Sequence, residues 1–179
     1  MRLFTAIDLP DALRNALSTL QTSEALEVRW TAPDQFHVTV RFIGDATPEQ
    51  TARYEATLAD IDAQPVRCAP YGLDVLPSRH SPSVVMLGLE RTDSIMTLYN
   101  AVSDALEAEG LAPEGRTYRP HVTLGRLDDP HPETVHDFLQ AHQEHSFSPF
   151  EAEQLVLFKS TLTPEGALHE PRVIYPLTG

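Results

Sequence analysis

The chain has 179 residues, of which 41% are hydrophobic and 22% charged, as is typical of one globular domain or of two small lobes that share a core. Its formal net charge of −13 excludes a surface that coats a long nucleic-acid duplex, because such surfaces neutralise many phosphates with lysine and arginine. A nucleic-acid partner would therefore be held at a short segment or an end, in a local basic pocket.

The N-terminal stretch and the cysteine content favour a cytoplasmic protein. The opening MRLFTAIDLP lacks the long apolar run and the small-residue cleavage site of a signal peptide. No window reaches the roughly 20 apolar residues that a transmembrane helix needs. Cys68 is the only cysteine, so neither an intrachain disulfide nor a cluster of thiolate ligands can form. We expect a cytoplasmic location without membrane association.

The first half of the chain mixes strand and helix patterns. Residues 2–8 (RLFTAID) predict a strand, and residues 10–21 carry leucines at helical spacing. VRW (28–30) and FHVTVRFIG (36–44) are rich in β-branched and aromatic residues, which indicates further strands. Residues 47–61 (TPEQTARYEATLADI) predict a helix, with a threonine cap and proline at the first helical position.

The rest of the chain continues in the same way. The predicted strands are 67–77, 83–90, 119–127, 153–162 and 171–177, with a polar loop PSRHSPS at 77–83. The predicted helices are 92–111, which ends at Gly110, and 132–142. Because the elements do not follow a strict βαβ alternation, we predict an α+β fold with antiparallel pairing.

One segment occurs twice. FHVTVRFIGDATPE (36–49) returns 84 residues later as PHVTLGRLDDPHPE (120–133). The shift aligns three pairs in the strand (His37 with His121, Val38 with Val122, Thr39 with Thr123) and three at the following helix start (Asp45 with Asp129, Pro48 with Pro132, Glu49 with Glu133). A single His-x-Thr would indicate little, but two copies with matching flanks predict two related lobes that each carry half of a site.

The repeated strand places titratable and hydroxyl side chains together. Residues two apart point to the same face of a strand, so His37 projects with Thr39 and His121 with Thr123. Strict alternation continues the first face to Arg41. In the second copy Gly125 takes that place, and Arg126 follows on the opposite side or in a bend.

Two facing imidazoles suit in-line displacement at phosphorus, in which the attacking and departing oxygens lie on opposite sides of the phosphorus atom. One histidine takes a proton from the nucleophile and the other gives a proton to the leaving oxygen. Imidazole serves both roles near neutral pH. Threonine hydroxyls and a nearby arginine can bind the non-bridging oxygens. This arrangement requires no metal.

The two motifs HVTV and HVTL resemble the paired His-x-Thr/Ser signatures of the two-histidine (2H) phosphoesterase superfamily. The chain is most similar to the bacterial and archaeal RNA 2′,3′-cyclic phosphodiesterases, also called 2′-5′ RNA ligases. The similarity also covers the opening strand MRLFTAIDLP and the closing hairpin LVLFKSTLTPEGALHEPRVIYPL. The closing segment of the family usually has an aromatic residue after Gly-Pro, where this chain reads Ala-Leu-His.

The resemblance implies the following site. His37 would be the proton donor and His121 the proton acceptor, while Thr39 and Thr123 would contact the phosphate. Arg126, which trails the second motif, would be a further phosphate ligand. Arg41, which stands where relatives often have lysine, would also bind the phosphate.

The resemblance also implies an overall architecture. The fold would be bilobal over residues 1–179, with the His37 motif in one lobe and the His121 motif in the other. Two antiparallel sheets would line a central cleft with pseudo-twofold symmetry, and the helices would lie outside.

The implied activity is hydrolysis of an RNA terminal 2′,3′-cyclic phosphate to a 2′-phosphomonoester without metal or cofactor, with weak ATP-independent 2′-5′ ligation of RNA ends such as tRNA halves. We expect a monomer that binds cyclic-phosphate RNA ends and tRNA fragments. Two alternatives stay open. One is a phosphodiesterase for another nucleotide, such as a cyclic ADP-ribose phosphate or a 2′-5′ oligonucleotide. The other is a non-catalytic RNA-end-binding protein, although pure binding does not require two titratable groups.

A second group of histidines lies in HPETVHDFLQAHQEH. His131, His136, His142 and His145 are close in sequence, but they form no histidine-carboxylate pattern of a known metalloenzyme. We therefore interpret this segment as an exposed polar helix face rather than a metal site.

Overall fold

The computed structural model describes residues 1–22, 26–164 and 166–179. Strands and α-helices alternate irregularly along this part of the chain. In order they are β1 (Arg2–Asp8), α1 (Asp11–Ser18), β2 (Val28–Trp30), β3 (His37–Asp45), α2 (Pro48–Ala59), β4 (Val66–Cys68), β5 (Pro70–Ser78), β6 (Ser81–Leu89), α3 (Asp93–Ala108), β7 (His121–Leu127), α4 (Pro132–Ala141), β8 (Phe150–Ala152), β9 (Gln154–Thr163) and β10 (Gly166–Pro176). Short 3-10 turns follow α1 and precede β3.

The strands form one large antiparallel sheet and one small one. The large sheet has the order β10-β9-β1-β3-β7-β6-β5, and β2 also pairs with β7. Its two halves meet where β3 and β7 pair through Val38 and Val122 alone. Strands β4 and β8 form the small sheet. The predicted α+β fold with antiparallel pairing is confirmed, but the two predicted cleft sheets run together at this central pair.

The central strands have one core face and one open face. Val38 and Val122 are fully buried, and so are Val40 and Leu124 farther along each strand. The intervening histidines and threonines are only partly buried. The apolar face therefore packs on the helices, while the opposite face, the cleft face hereafter, carries the polar residues of both repeats.

The strand-to-helix unit of the repeat forms twice, as β3–α2 and β7–α4. Helix α2 begins with a capping box, in which the Thr47 hydroxyl accepts from the Gln50 backbone N–H and the Gln50 side chain accepts from the Thr47 backbone N–H. Proline starts both helices, at Pro48 and Pro132, where its missing N–H costs nothing. The repeated prolines thus belong to the scaffold that places the two strands.

Three strand boundaries differ from those predicted. The predicted strand 67–77 is split at Ala69 into β4 and β5, which belong to different sheets. The predicted loop 77–83 is a tight turn, because β5 and β6 stay paired as far as Ser78 and Ser81. Strand β10 begins five residues before the predicted 171, paired along its length with β9. In each case pairing across the sheet overrides the local composition.

The helices bear on two predictions, the absence of a membrane span and the extent of the histidine-rich helix. Within the described residues, no helix combines the length and apolar character needed to span a membrane. Helix α4 ends at Ala141, so His142 and His145 lie in the turn that follows rather than on the helix.

Candidate active site

The two histidine motifs begin the two central strands. His37 is the first residue of β3 and His121 the first of β7. Strands β3 and β7 are antiparallel and pair at Val38 and Val122. One residue to either side of this pair, the same register sets His37 opposite Thr123 and Thr39 opposite His121. Each imidazole therefore lies across the strand boundary from the threonine of the other motif, as the pseudo-twofold repeat predicts.

Both imidazoles are held in the same way. Nδ1 of His37 donates to the backbone carbonyl of Gln35 at 2.8 Å, and Nδ1 of His121 donates to the carbonyl of Arg119 at 2.7 Å. Because a carbonyl can only accept, the neutral ring carries its proton on Nδ1. The Nε2 lone pair of each histidine is then left for proton transfer.

Burial keeps both histidines neutral in the free protein. Desolvation is the main cause that lowers the pKa of His37 from 6.5 to about 4, and the charges of His169 and His121 lower it further against the Gln35 hydrogen bond. Desolvation is also the main cause that lowers the pKa of His121. The hydrogen bond to the Arg119 carbonyl raises this pKa, and the charge of Arg119 lowers it. Both surroundings therefore disfavour the imidazolium form.

The loop before His121 supplies a support that sequence patterns missed, the side chain of Tyr118. The Tyr118 hydroxyl donates to the Thr39 carbonyl at 3.0 Å and its ring stacks on Tyr99 with centroids 4.2 Å apart. Tyr118 lies three residues before His121, so it ties the second motif to the first. Burial raises the pKa of this phenol far above its usual range, which keeps it a neutral donor.

A bulge in β3 decides where Arg41 lies. Thr39 pairs with Ala6 on β1, but Arg41 pairs with Thr5, so Val40 has no counterpart. Ala6 and Thr5 are neighbours and face opposite sides of β1. Arg41 is therefore turned away from the cleft face that carries Thr39.

Arg41 is instead buried, and we propose a structural role for it in place of the predicted role as a phosphate ligand beside His37. The side chain is 3% exposed. Its guanidinium pairs with Glu107 at 3.1 Å and Glu114 at 3.0 Å and donates to the Ala112 carbonyl at 2.8 Å. These contacts fasten β3 to α3 and the segment that follows it.

The substitution Arg41→Met tests this reassignment. We expect the free energy of unfolding to fall by about 1–3 kcal/mol, because two partly exposed carboxylates lose their partner. The kcat and KM for the reaction that the two motifs predict should stay near wild-type values. Urea denaturation and steady-state kinetics on the same preparation measure both quantities. A large loss of kcat at unchanged stability would contradict the structural role and would indicate that Arg41 acts in the active site.

A matching bulge in β7 acts in the opposite way on Arg126. Thr123 pairs with Met86 on β6 and Arg126 pairs with Val84. Met86 and Val84 are two residues apart and so share a face, which puts Arg126 on the cleft face with Thr123. Arg126 is exposed and forms no ion pair among the described residues. The bulge thus brings a free cation to the side where alternation alone would not place it.

In the described part of the chain, including the histidine-rich segment, no group of three or more histidine, cysteine, aspartate or glutamate side chains converges. His142 and His145 lie with ring centroids 5.0 Å apart, and His142 packs on Phe138 at 4.6 Å. His136 is exposed on α4, as the polar-face interpretation predicts.

Solved structures show that this arrangement of strands and helices is a known one. TT0787 of Thermus thermophilus superposes with a TM-score of 0.81 at 24% identity, covering 100% of this chain and 99% of that one. Apo LigT of E. coli gives a TM-score of 0.78 at 20% identity, with 99% and 98% covered. At these identities the likeness establishes the fold, and it confirms the predicted α+β class.

Sequence relatives extend the likeness to the family. An RNA 2′,3′-cyclic phosphodiesterase of Archaeoglobus fulgidus is 30% identical over 172 residues, which are 95% of this chain and 97% of the relative. A protein of the same name from Methanocaldococcus jannaschii is 27% identical over 172 residues, with the same coverage. The family model described as the 2′-5′ RNA ligase superfamily matches residues 9–163. The chain therefore belongs to the 2′-5′ RNA ligase superfamily, the family within the 2H phosphoesterases that its doubled His-x-Thr strand resembles.

Proposed function

We propose that this protein hydrolyses the 2′,3′-cyclic phosphate at the end of an RNA to a 2′-phosphomonoester, using two histidines and no metal. The observation that carries the proposal is the paired arrangement of His37 and His121. Each is fixed through Nδ1 to a backbone carbonyl, and each lies across the β3–β7 boundary from a threonine. Such a pair supplies a base and an acid on two sides of one phosphate.

The proposed reaction is an in-line displacement. Nε2 of His121 accepts a proton from a water molecule as its oxygen bonds to phosphorus. The bond from phosphorus to the 3′ oxygen breaks. His37, which takes up a proton on Nε2 from solvent when the anionic phosphate binds, gives that proton to the departing oxygen. The product has a 2′-phosphate and a free 3′-hydroxyl. A second proton exchange with water returns both imidazoles to their starting states.

The threonines and Arg126 would stabilise charge on the phosphate. The hydroxyls of Thr39 and Thr123 donate to non-bridging oxygens, whose charge grows as the fifth oxygen bonds. Arg126, on the same face as Thr123, adds a positive charge. This local positive charge suits an acidic chain of net charge −13 that binds an RNA end rather than a duplex.

The same site would join RNA ends when a hydroxyl replaces water. If a 5′-hydroxyl of a second RNA attacks the cyclic phosphate, the same bond breaks and a 2′-5′ linkage forms without ATP. We propose this as a weak side activity, with tRNA fragments among its substrates. The names of the relatives support the phosphodiesterase. A single bilobal domain over residues 1–179, a monomeric state and a cytoplasmic location complete the proposal.

The test is hydrolysis in the presence of a chelator. The protein is incubated in EDTA with 2′,3′-cyclic nucleotides and with a short RNA that bears a cyclic end. We expect hydrolysis of the RNA end at an undiminished rate, and phosphorus NMR of the product should show a 2′-phosphate. Loss of activity on chelation would contradict the metal-free mechanism. Failure to hydrolyse any cyclic phosphate, with binding of the RNA end retained, would favour the non-catalytic alternative.

A further inference from the structure

A third histidine, His169, lies beside His37. It belongs to β10 and pairs with Ser160 on β9, two residues from Phe158. Phe158 stacks on Phe4 with centroids 5.2 Å apart, and Phe4 lies 4.9 Å from the His37 ring. The closing hairpin therefore brings His169 to the same cleft face as the proposed proton donor.

The three rings touch one another. The His169 ring centroid is 4.8 Å from that of Phe4 and 5.2 Å from that of His37, with the two imidazole planes at 89°. An edge-to-face contact of this kind restricts rotation of both rings. The His37 imidazole is therefore fixed by packing against His169 and Phe4 as well as by its hydrogen bond.

Gln35 joins the two histidines through separate groups. Its backbone carbonyl accepts the His37 Nδ1 hydrogen bond at 2.8 Å, and its side-chain Oε1 accepts from the backbone N–H of His169 at 2.7 Å. The hairpin end of β10 and the start of β3 are thus tied at one residue. Movement of His169 would be transmitted to the support of His37.

Among the described residues, the His169 side chain has no hydrogen bond that would explain its presence as a structural residue. Its Nδ1 is buried and has no partner among the described side chains and backbone groups. A buried polar atom without a partner is unfavourable, and phenylalanine would fill the same space without that cost. This unfavourable histidine nevertheless lies next to a proposed catalytic group.

We propose that His169 is a positioning residue of this site, one that packs edge-on against His37 and, when protonated, places a second positive charge beside the proton donor. The inference rests on the proposed function. His169 then makes His37 a more ready proton donor, because a charged neighbour about 5 Å away weakens the hold of His37 on its proton. An anionic phosphodiester bound between them offsets this repulsion.

The groups around the pair confine this coupling to acidic pH, where His169 is protonated. His169 lowers the pKa of His37, as does His121 on β7, whereas the Asp8 carboxylate on β1 raises it. Burial lowers the pKa of His169 itself, and Arg2 on β1 adds to the effect. Arg2 is directed to the exposed ring of Phe42, with its guanidinium carbon 5.0 Å from the ring centroid.

The test compares His169→Phe, which keeps an aromatic ring but cannot be charged, with His169→Gln, which removes both ring and charge. The pH at which His37 titrates is measured by NMR, and the pH profile of kcat/KM is recorded for each variant. We expect both variants to raise the titration midpoint of His37 by about half a pH unit or more, and to move its limb of the kcat/KM profile by the same amount. One charge at this distance has that effect even in water-like surroundings. His169→Gln should also lower kcat more than His169→Phe.

The control is His136→Phe, a change at an exposed histidine on α4, which should leave the titration and the profile unchanged. If both His169 variants titrate like the wild type at His37, even with altered folding stability, the proposal is wrong and His169 is only a packing residue. The NMR titration needs no substrate. The titration therefore tests the coupling even if the protein does not hydrolyse a cyclic phosphate.

Discussion

His37→Ala and His121→Ala should each lower kcat for hydrolysis of a 2′,3′-cyclic phosphate by about 10²–10⁴-fold, the usual contribution of a positioned acid or base. The KM should change much less, because the threonines still bind the phosphate. The double variant should lose little more than either single one, since acid and base act in one concerted step. Steady-state kinetics on an RNA with a cyclic end measure all three values.

The control for these variants is His136→Ala, which removes an exposed histidine from α4 and should leave kcat unchanged. Circular dichroism and thermal denaturation check that the variants fold, because His37 packs against Phe4 and His169. If a folded His121→Ala protein kept most of its rate, the two-histidine mechanism would be wrong. Retention of rate by His37→Ala alone would mean that the leaving oxygen departs without a protein donor.

The pH dependence of the wild-type enzyme follows from the same two groups. The pKa of each histidine is lowered from 6.5, so both limbs of a bell-shaped kcat/KM profile should lie below that value. Binding of the anionic phosphate stabilises imidazolium and should move the limbs of kcat to higher pH. Each alanine variant should lose one limb. Because the two histidines interact, the limbs of the wild-type profile report the pair rather than either residue. The alanine variants are needed to assign each limb to one histidine.

The repeat and the faces of its strands are the part of the site that local sequence predicts. Alternation of Val38 and Val122 with the flanking histidines and threonines reports which face is buried, and it holds in the structure. The His-x-Thr spacing is short enough to lie within one regular stretch of strand. Its doubling indicates that two stretches meet, which the Val38–Val122 pair bears out.

The arginines could not be placed from the sequence, because each follows a bulge. Strict alternation assigns Arg41 to the cleft face and Arg126 to the other, and the structure reverses both. A bulge adds one residue to one strand, and its position depends on the partner strand rather than on local composition. The extra residues, Val40 and Leu124, are ordinary buried aliphatics that give no local sign of it.

His169 shows a second limit of sequence reasoning. It lies 132 residues beyond His37, and only the pairing of β10 with β9 and of β9 with β1 brings the two rings together. No periodicity in the chain reports such a contact. The one available sign was compositional, since the closing segment reads Ala-Leu-His where relatives usually carry an aromatic residue after Gly-Pro. A departure from the family pattern thus marked the residue that we propose positions His37.

Thr39→Val and Thr123→Val should each lower kcat by about 10²-fold, as expected when one preorganised donor to a charged transition state is removed. Valine matches threonine in shape and keeps the strand geometry, so the loss should come from the missing hydroxyl. Thr39→Ser and Thr123→Ser, which retain the donor, should keep most of the rate.

The matched control for this series is Thr161→Val, at an exposed position on β9 outside the cleft. It should change neither kcat nor KM. Since the repeat places the two threonines symmetrically, their single losses should be similar in size. Binding of inorganic phosphate, followed by NMR or calorimetry, should weaken less than kcat falls, because the hydroxyls bond most strongly to the oxygens that gain charge in the transition state. Equal losses in phosphate binding and in kcat would instead assign Thr39 and Thr123 to ground-state binding.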